Sequence, residues 1–314
     1  MAINWYPGHM HKANKEMTEM LPQVDLVVEL LDCRIPHSSQ NPAIARLGAG
    51  KPCIKILSKS DLADPEITGQ WQAYFESKAS VKTLLSTMEP SDKADKFMRL
   101  YHKLLPGKAA GGGKTLAMIS GIPNVGKSTL INALVGRKVA KTGDEPAITR
   151  GLQKIRLNQE VTFLDTPGIL WPKIDNENSG YRLAATGAIR DTAIDIEDVA
   201  VHLGEFLLDH YGQRLQQRYG LDSAANSAIE LLDMVGKRRG CLRRGGHVDL
   251  EKVSSLLVNE FRDGLLGRIT LETPSMIATE EQQVALKKAE KAAREAARKK
   301  KKRNGEGHSK QWVR

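Results

Sequence analysis

The sequence predicts an α/β fold: a mostly parallel sheet built around a phosphate-binding loop, followed by a small α-helical domain and a basic tail. Three observations carry this expectation. Short apolar β runs alternate with helical patterns over the first 170 residues, which implies crossover connections between parallel strands. The run Gly121-Ile-Pro-Asn-Val-Gly126-Lys127-Ser128 falls between a strand pattern and a helix pattern, the context that a phosphate loop requires. From about Tyr181 the β signal gives way to helical segments, and residues 287–314 hold 12 Lys and Arg against 3 acids.

Taken in order, residues 8–21 predict a helix, because Met10, Ala13, Met17 and Met20 recur at helical spacing while Lys12, Lys15 and Glu19 face away, and Pro22 ends it. VDLVVELLD (24–32) and PCIKILSKSD (52–61) read as buried strands at βαβ spacing. ITGQWQAYFESK predicts a helix, VKTLLST (81–87) a third strand, DKADKFMRLYHKLL a further helix, and PGKAAGGGK (106–114) a linker. TLAMIS (115–120) leads into the phosphate loop and the helix TLINALVG, and VTFLDTPG (161–168) supplies a strand ending in a turn. AIDIEDVAVHLGEFLLDHY, SAIELLDMVGKR and LEKVSSLLVNEFRDGLL make up the helical part. The expected boundaries are 1–175, 176–275 and 276–314. The last segment can form a helix but lacks an apolar stripe to bind it to a core, so it reads as a mobile basic arm.

Charge and composition narrow the function classes. The chain carries 47 Lys and Arg against 37 Asp and Glu, yet residues 1–286 are nearly neutral, so the excess sits in the tail, where it suits a phosphate backbone. No run approaches the roughly 18 apolar residues of a membrane span, which predicts no membrane partner and a cytoplasmic, monomeric protein. Cys33, Cys53 and Cys241 are too few and too scattered for a disulfide framework, and no C-x-x-C pair offers a zinc site.

In the phosphate loop, glycines let backbone N–H groups wrap the phosphates, which assigns Asn124, Val125, Gly126, Lys127, Ser128 and Thr129 to nucleotide binding. Lys127 reaches the β and γ oxygens, a catalytic role, and the Ser128 hydroxyl ligates Mg²⁺. Asp165-Thr-Pro-Gly168 ends a strand, where Asp165 can hold the magnesium shell and the Gly168 N–H can touch a γ-phosphate; an ordinary turn is the alternative. Between them, Thr149 in GDEPAITRG can reach Mg²⁺ when a γ-phosphate is present, and the three motifs in this order make the sensor of a GTP switch. The base motif expected after Asp165 occurs upstream instead. In Ser58-Lys59-Ser60-Asp61, Asp61 can accept from guanine N1–H and the exocyclic amine and Lys59 can lie over the base, with Ser86 and Thr87 completing the pocket; taken alone, SKSD also reads as a polar helix cap. The order of parts is that of a circularly permuted P-loop GTPase domain.

With WYPGHM, DCRIPHSSQNP, GIPNVGKSTLIN, KTGDEPAITRG, LDTPGILWPK, ATGAIRD and RRGCLRRGG, the sequence resembles the circularly permuted ribosome-biogenesis GTPases of the YlqF/RbgA family over roughly residues 3–275. The resemblance implies GTP hydrolysis, a G domain followed by a small helical RNA-binding domain, and a role in late maturation of the large ribosomal subunit. Two departures stand out: Ser58 replaces the usual Asn, which is expected to weaken guanine affinity, and Cys33 replaces Ala in D-A-R-x-P. Ile169 occupies the position after D-x-x-G and cannot orient water, so the resemblance implies His9 as the catalytic group. It also implies K⁺ coordination by Asn124, supplying charge beside the phosphates. Lys237, Arg238, Arg239, Arg243 and Arg244 cluster in a Gly-rich turn and read as RNA phosphate ligands. The expectation is a GTP switch with Mg²⁺ and K⁺ as cofactors, which binds rRNA and is stimulated by the large ribosomal subunit. A nucleotide-gated RNA-binding chaperone with incidental hydrolysis is the alternative, and replacement of His9 separates the two.

Overall fold

The computed structural model describes residues 6–48, 50–87, 93–140 and 152–308. The chain forms two compact units, Met1–Thr273 and Pro274–Arg314. The first holds a six-stranded sheet and the helices from the N-terminus to residue 262; the second is a helix. No helix among the described residues is long and apolar enough to cross a membrane.

In chain order the elements are α1 (Gly8–Met20), β1 (Leu26–Asp32), α2 (Pro42–Leu47), β2 (Cys53–Ser58), α3 (Pro65–Glu76), β3 (Val81–Ser86), α4 (Lys93–Leu104), α5 (Pro106–Ala110), β4 (Thr115–Gly121), α6 (Lys127–Val135), β5 (Gln153–Arg156), β6 (Val161–Asp165), α7 (Glu177–Ala185), α8 (Ile196–Tyr219), α9 (Ala228–Arg239), α10 (Leu250–Arg262) and α11 (Pro274–His308). The sheet runs β3-β2-β1-β4-β6-β5, parallel except for β5, which is antiparallel to β6. All seven residues of β1 are buried, as expected for a central parallel strand covered on both faces.

Register fixes the working edge. Asp32 pairs with Ser58 and Ser58 with Ser86, while Leu30 pairs with Gly121 and Ile119 with Asp165. The candidate residues therefore stand at the carboxyl ends of five parallel strands, on either side of the point between β1 and β4 where the strand order reverses, which is where open α/β sheets bind ligands.

The fold departs from the sequence expectation in three places. The expected linker at 106–114 begins with the short helix α5, whose start is set by Pro106 in the first turn. Helix α2 begins at Pro42 behind Asn41, whose side chain accepts from the Ala43 N–H. Strand β5 has a single buried residue, Ile155, so it carries no readable alternation and exists because β6 offers it a partner. The four helices α7 to α10 each start behind a capping side chain, Asn176, Asp195, Ser227 and Asp249 in turn. Helix α11 continues the polar Ala/Lys/Arg/Glu pattern over residues 274–308.

After α10 the chain returns to the first half of the sheet. Ile269 N–H donates to Leu62 O (2.9 Å), Asp64 N–H to the Thr270 hydroxyl (3.0 Å), Leu271 N–H to Arg34 O (2.8 Å) and the Trp71 indole to Glu272 O (2.9 Å). The buried Glu272 carboxylate accepts from the His37 and Ser38 N–H groups and pairs with Arg182 on α7 (3.4 Å). Residues 269–272 thus tie the helical part to the loops that follow β1 and β2 and to α3.

Candidate guanine-nucleotide site

At the base end, Ser60 N–H donates to Ser86 O (3.3 Å) and the Lys93 ammonium donates to Thr87 O (2.6 Å), so the tips of β2 and β3 form one wall. Asp61 Oδ1 is buried and has no hydrogen-bond partner among the described residues. A buried carboxylate oxygen left unpaired costs more than a hydrogen bond is worth, so it is placed to take one from a ligand. Ser58 is committed elsewhere: its buried hydroxyl donates to Leu31 O (3.0 Å), a bond from β2 to β1. It therefore spends on the sheet the hydrogen that was expected to face guanine.

Lys59 adopts a left-handed backbone, φ 55°, and its ammonium sits 3.1 Å from Asp32 Oδ2. Asp32 was not among the residues expected at the site. Its carboxylate also takes Arg34 Nε (3.0 Å) and Nη2 (2.9 Å). Burial opposes the charge, but Arg34 and Lys59 together outweigh it and hold the Asp32 carboxyl well below the usual carboxylate range. Burial pulls the Lys59 ammonium below the ordinary lysine range, against the attraction of Asp32. Because the Asp32 pKa is depressed in the folded state, its stabilisation is present above the unfolded value near 3.8 and is lost as pH falls through the folded value. Asp32→Asn is expected to cost about 3 kcal/mol at pH 7, since it leaves Arg34 buried without its partner. Urea unfolding at pH 7 and pH 3 checks this, and the difference between the two proteins must shrink at the lower pH.

At the phosphate end, Gly126 (φ 92°) caps α6, and Asn124 is also left-handed (φ 58°). A Cβ on Gly121 would lie 2.8 Å from Val125 Cγ1 and 3.0 Å from Leu30 O, which explains the glycine that opens the loop. Lys127 and Asp165 are both buried and form an ion pair through Asp165 Oδ1, while Asp165 Oδ2 is buried without a partner. Burial raises the Asp165 carboxyl above its ordinary value despite the pull of Lys127. An orphaned carboxylate oxygen on Asp165 fits the shell of a Mg²⁺ ion, which Asp165 and the Ser128 hydroxyl would hold; such an ion supplies positive charge to the phosphoryl oxygens.

Gly168 abuts the phosphate loop: a Cβ there would lie 3.2 Å from Pro123 Cα and 3.3 Å from Pro123 N. Gly168→Ala is expected to lower single-turnover GTP hydrolysis by about 10-fold, the equivalent of about 1.4 kcal/mol of overpacking against the loop, with GDP affinity changed less than about threefold. A stopped-flow comparison of hydrolysis with fluorescent GDP titration checks it. Ile169 and Leu170 are fully buried and apolar, so neither orients water. His9 lies in the first turn of α1, but its side chain falls outside the described residues, as does the whole of Thr149. Asn132 on α6 is a further residue not anticipated: its amide oxygen accepts from Val139 N–H and Ala140 N–H (2.8 Å each), anchoring the chain that leads toward Thr149.

The basic turn follows α9. Lys237 pairs with Asp233 (2.6 Å), Arg238 with Asp222 (3.7 Å), Arg239 with Glu260 (3.7 Å) and Arg243 with Asp249 (3.0 Å). Among the described residues Arg244 alone of the five makes no ion pair. All five are exposed.

Comparison with known proteins agrees with this geometry. Residues 116–232 match the family described as 50S ribosome-binding GTPase, a match that starts in β4. The chain is 44% identical over 287 residues to ribosome biogenesis GTPase A of Priestia megaterium, covering 88% of this chain and 98% of that protein. The GDP-bound structure of TM YlqF matches with a TM-score of 0.59 at 26% identity, covering 82% of this chain and 99% of that one. GNP-bound YlqF from T. maritima matches with a TM-score of 0.57 at 26% identity, covering 84% and 98%. With a sheet whose SKSD strand tip comes first in the chain and whose phosphate loop comes second, this chain belongs to the ribosome biogenesis GTPase A family of circularly permuted GTPases.

Proposed function

We propose that this GTPase is an assembly factor of the large ribosomal subunit, whose GTP form binds ribosomal RNA and is released after hydrolysis. The observation that carries the reading is the route of the chain after Gly168. That glycine abuts the phosphate loop, Ile169 and Leu170 after it are buried, and residues 171–176 carry the chain on into α7, so backbone facing a γ-phosphate is continuous with the helical part that bears the basic turn. A change at Gly168 is therefore felt by α7 and its neighbours.

Several features support the finer parts of the reading. The ion pairs of Lys237, Arg238 and Arg243 are solvent-exposed and weak, so RNA phosphates can replace their acids at little cost, whereas Arg239 shares the buried Glu260 with Arg218 and is held more firmly. Arg244 needs no exchange, and the basic residues of 287–303 add sequence-independent attraction. Asn124 donates its amide N–H to Gly187 O (2.9 Å), which leaves the amide oxygen to serve a K⁺ ion beside the phosphates. With Ile169 and Leu170 buried, orientation of the attacking water falls to His9, and Thr149 completes the Mg²⁺ shell.

The test is GTP turnover in K⁺ and in Na⁺ buffer, with purified large or small ribosomal subunits. Stimulation by the large subunit alone, greater in K⁺, is the expected result. Equal turnover with either subunit would overturn the reading.

A further inference from the structure

The base motif and the phosphate loop sit on different strand ends, yet one residue of the helical part links to both, by its side chain on one side and its backbone carbonyl on the other. Arg262 is the last residue of α10. Its guanidinium donates through Nε to Ala185 O (3.0 Å) and through Nη2 to Ala184 O (2.9 Å), the carbonyls that end α7, and forms a two-point pair with Asp191 (2.9 and 2.7 Å). Its own carbonyl accepts from Arg34 Nη1 (3.2 Å), the arginine whose other nitrogens grip Asp32 and, through it, Lys59.

The carbonyls that Arg262 caps lead directly into the turn that meets the nucleotide loop. Gly187 is left-handed (φ 78°), its N–H donates to Ala184 O (3.0 Å), and Ala188 N–H reaches back to Leu183 O (2.9 Å), a turn that fixes the direction of the Gly187 carbonyl. That carbonyl accepts from Asn124 Nδ2 (2.9 Å). A Cβ on Gly187 would lie 3.5 Å from Arg262 Nε, so the guanidinium packs beside the turn with room for no more than a methyl group between them. An amide side chain has one oxygen and one nitrogen, and the Gly187 bond decides which of them faces the nucleotide.

We propose that Arg262 is a positioning residue for the phosphate loop: by capping the end of α7 it aims the Gly187 carbonyl, which holds the Asn124 amide with its oxygen turned toward the nucleotide. A lysine cannot replace it. One ammonium cannot cap two carbonyls and a carboxylate in the planar fork that the guanidinium provides. The helical part thereby has a route to the phosphate loop separate from the chain that leaves Gly168. The cation consequence rests on the reading of Asn124 as a K⁺ ligand; the positioning itself does not.

The experiment uses the full-length protein bound to GDP and Mg²⁺. The side-chain amide signals of Asn124 are assigned in ¹H–¹⁵N spectra by their disappearance in Asn124→Asp, then followed in Arg262→Lys and in the milder Asp191→Asn, which removes only the exposed anchor of the guanidinium. The expected result is movement of the Asn124 amide pair toward the position of a free amide, large in Arg262→Lys and smaller in Asp191→Asn, with the backbone spectrum of the β-sheet preserved. In parallel, the K⁺ concentration for half-maximal turnover should rise about 10-fold in Arg262→Lys while the KM for GTP changes less than about threefold. Asn124 amide signals unchanged in both variants would overturn the proposal. Amide signals that move in a protein whose turnover never responded to K⁺ would sustain the positioning role and discard the K⁺ reading. If Arg262→Lys does not fold, Asp191→Asn decides alone by the same signals.

Discussion

Asp61→Asn is expected to lower GDP and GTP affinity about 100-fold and to create measurable affinity for xanthosine diphosphate. Asp61 Oδ1 is a buried acceptor with no partner among the described residues, and under the proposed base contact guanine N1–H and the exocyclic amine would be its donors. The Asn amide can present its nitrogen where guanine also presents hydrogen, a donor facing a donor, whereas xanthine offers a carbonyl oxygen at that ring position. A factor of 100 corresponds to about 2.7 kcal/mol, within the range for leaving a buried charged-group hydrogen bond unmade. Titration with fluorescent GDP, and competition by xanthosine and adenosine diphosphates, checks both parts. Retained GDP affinity would mean that the loop after β2 is not the base site. Ser58 gives the contrasting case: because its hydroxyl is spent on Leu31 O, Ser58→Ala is expected to act on the β1–β2 junction more than on nucleotide choice.

Lys127→Ala is expected to lower GTP turnover at least 1,000-fold and also to change stability in a way a surface lysine would not. The ammonium is buried in an ion pair with Asp165, whose second oxygen already lacks a partner. Removing the lysine strands a buried carboxylate, which costs about 3 kcal/mol unless the group takes up a proton. Burial has already moved Asp165 above the ordinary carboxylate range, so loss of Lys127 moves it further in the same direction. For a carboxyl raised in the folded state, stability is gained as pH falls through the folded value and lost as pH rises through it. The variant should therefore be least stable relative to the parent at pH 7 to 8 and recover toward pH 5. Lys127→Ala,Asp165→Asn should regain most of the lost stability without regaining turnover, because the Mg²⁺ ligand and the phosphate contact are both gone. Thermal unfolding of the three proteins at pH 5 and pH 8, beside GTP turnover, separates the two effects.

Much of the nucleotide site is legible in the residues because its chemistry is local. A glycine that must approach another backbone, a lysine opening a helix and an aspartate ending a strand keep fixed spacing in any chain that builds a phosphate loop, as Gly121, Lys127 and Asp165 do here. The mostly parallel sheet followed as well, since strands that alternate with helices need crossover connections, whereas the strand order was visible only in the fold. Strand β5 escaped because a four-residue edge with one buried side chain has no period, and α5 escaped because Gly and Lys hide a single turn begun by Pro106.

The residues that escaped at the site share one property: their partners are far away in sequence. Nothing near Asp32 announces that it holds Lys59, nothing near Asn124 announces Gly187, and Arg262 meets α7 from 77 positions further along the chain. Sequence pattern reports what a residue can do with its neighbours; a charge paired across strands or a carbonyl aimed by another helix exists only once burial has brought the groups together and made an unpaired alternative costly. The motifs, their permuted order and the longer helices were legible in the chain, because propensity, periodicity and backbone sterics act over a few residues. Only the tertiary structure decided that Ser58 serves the sheet, that four of the five basic-turn cations are already paired, and that one arginine stands between the base motif and the phosphate loop.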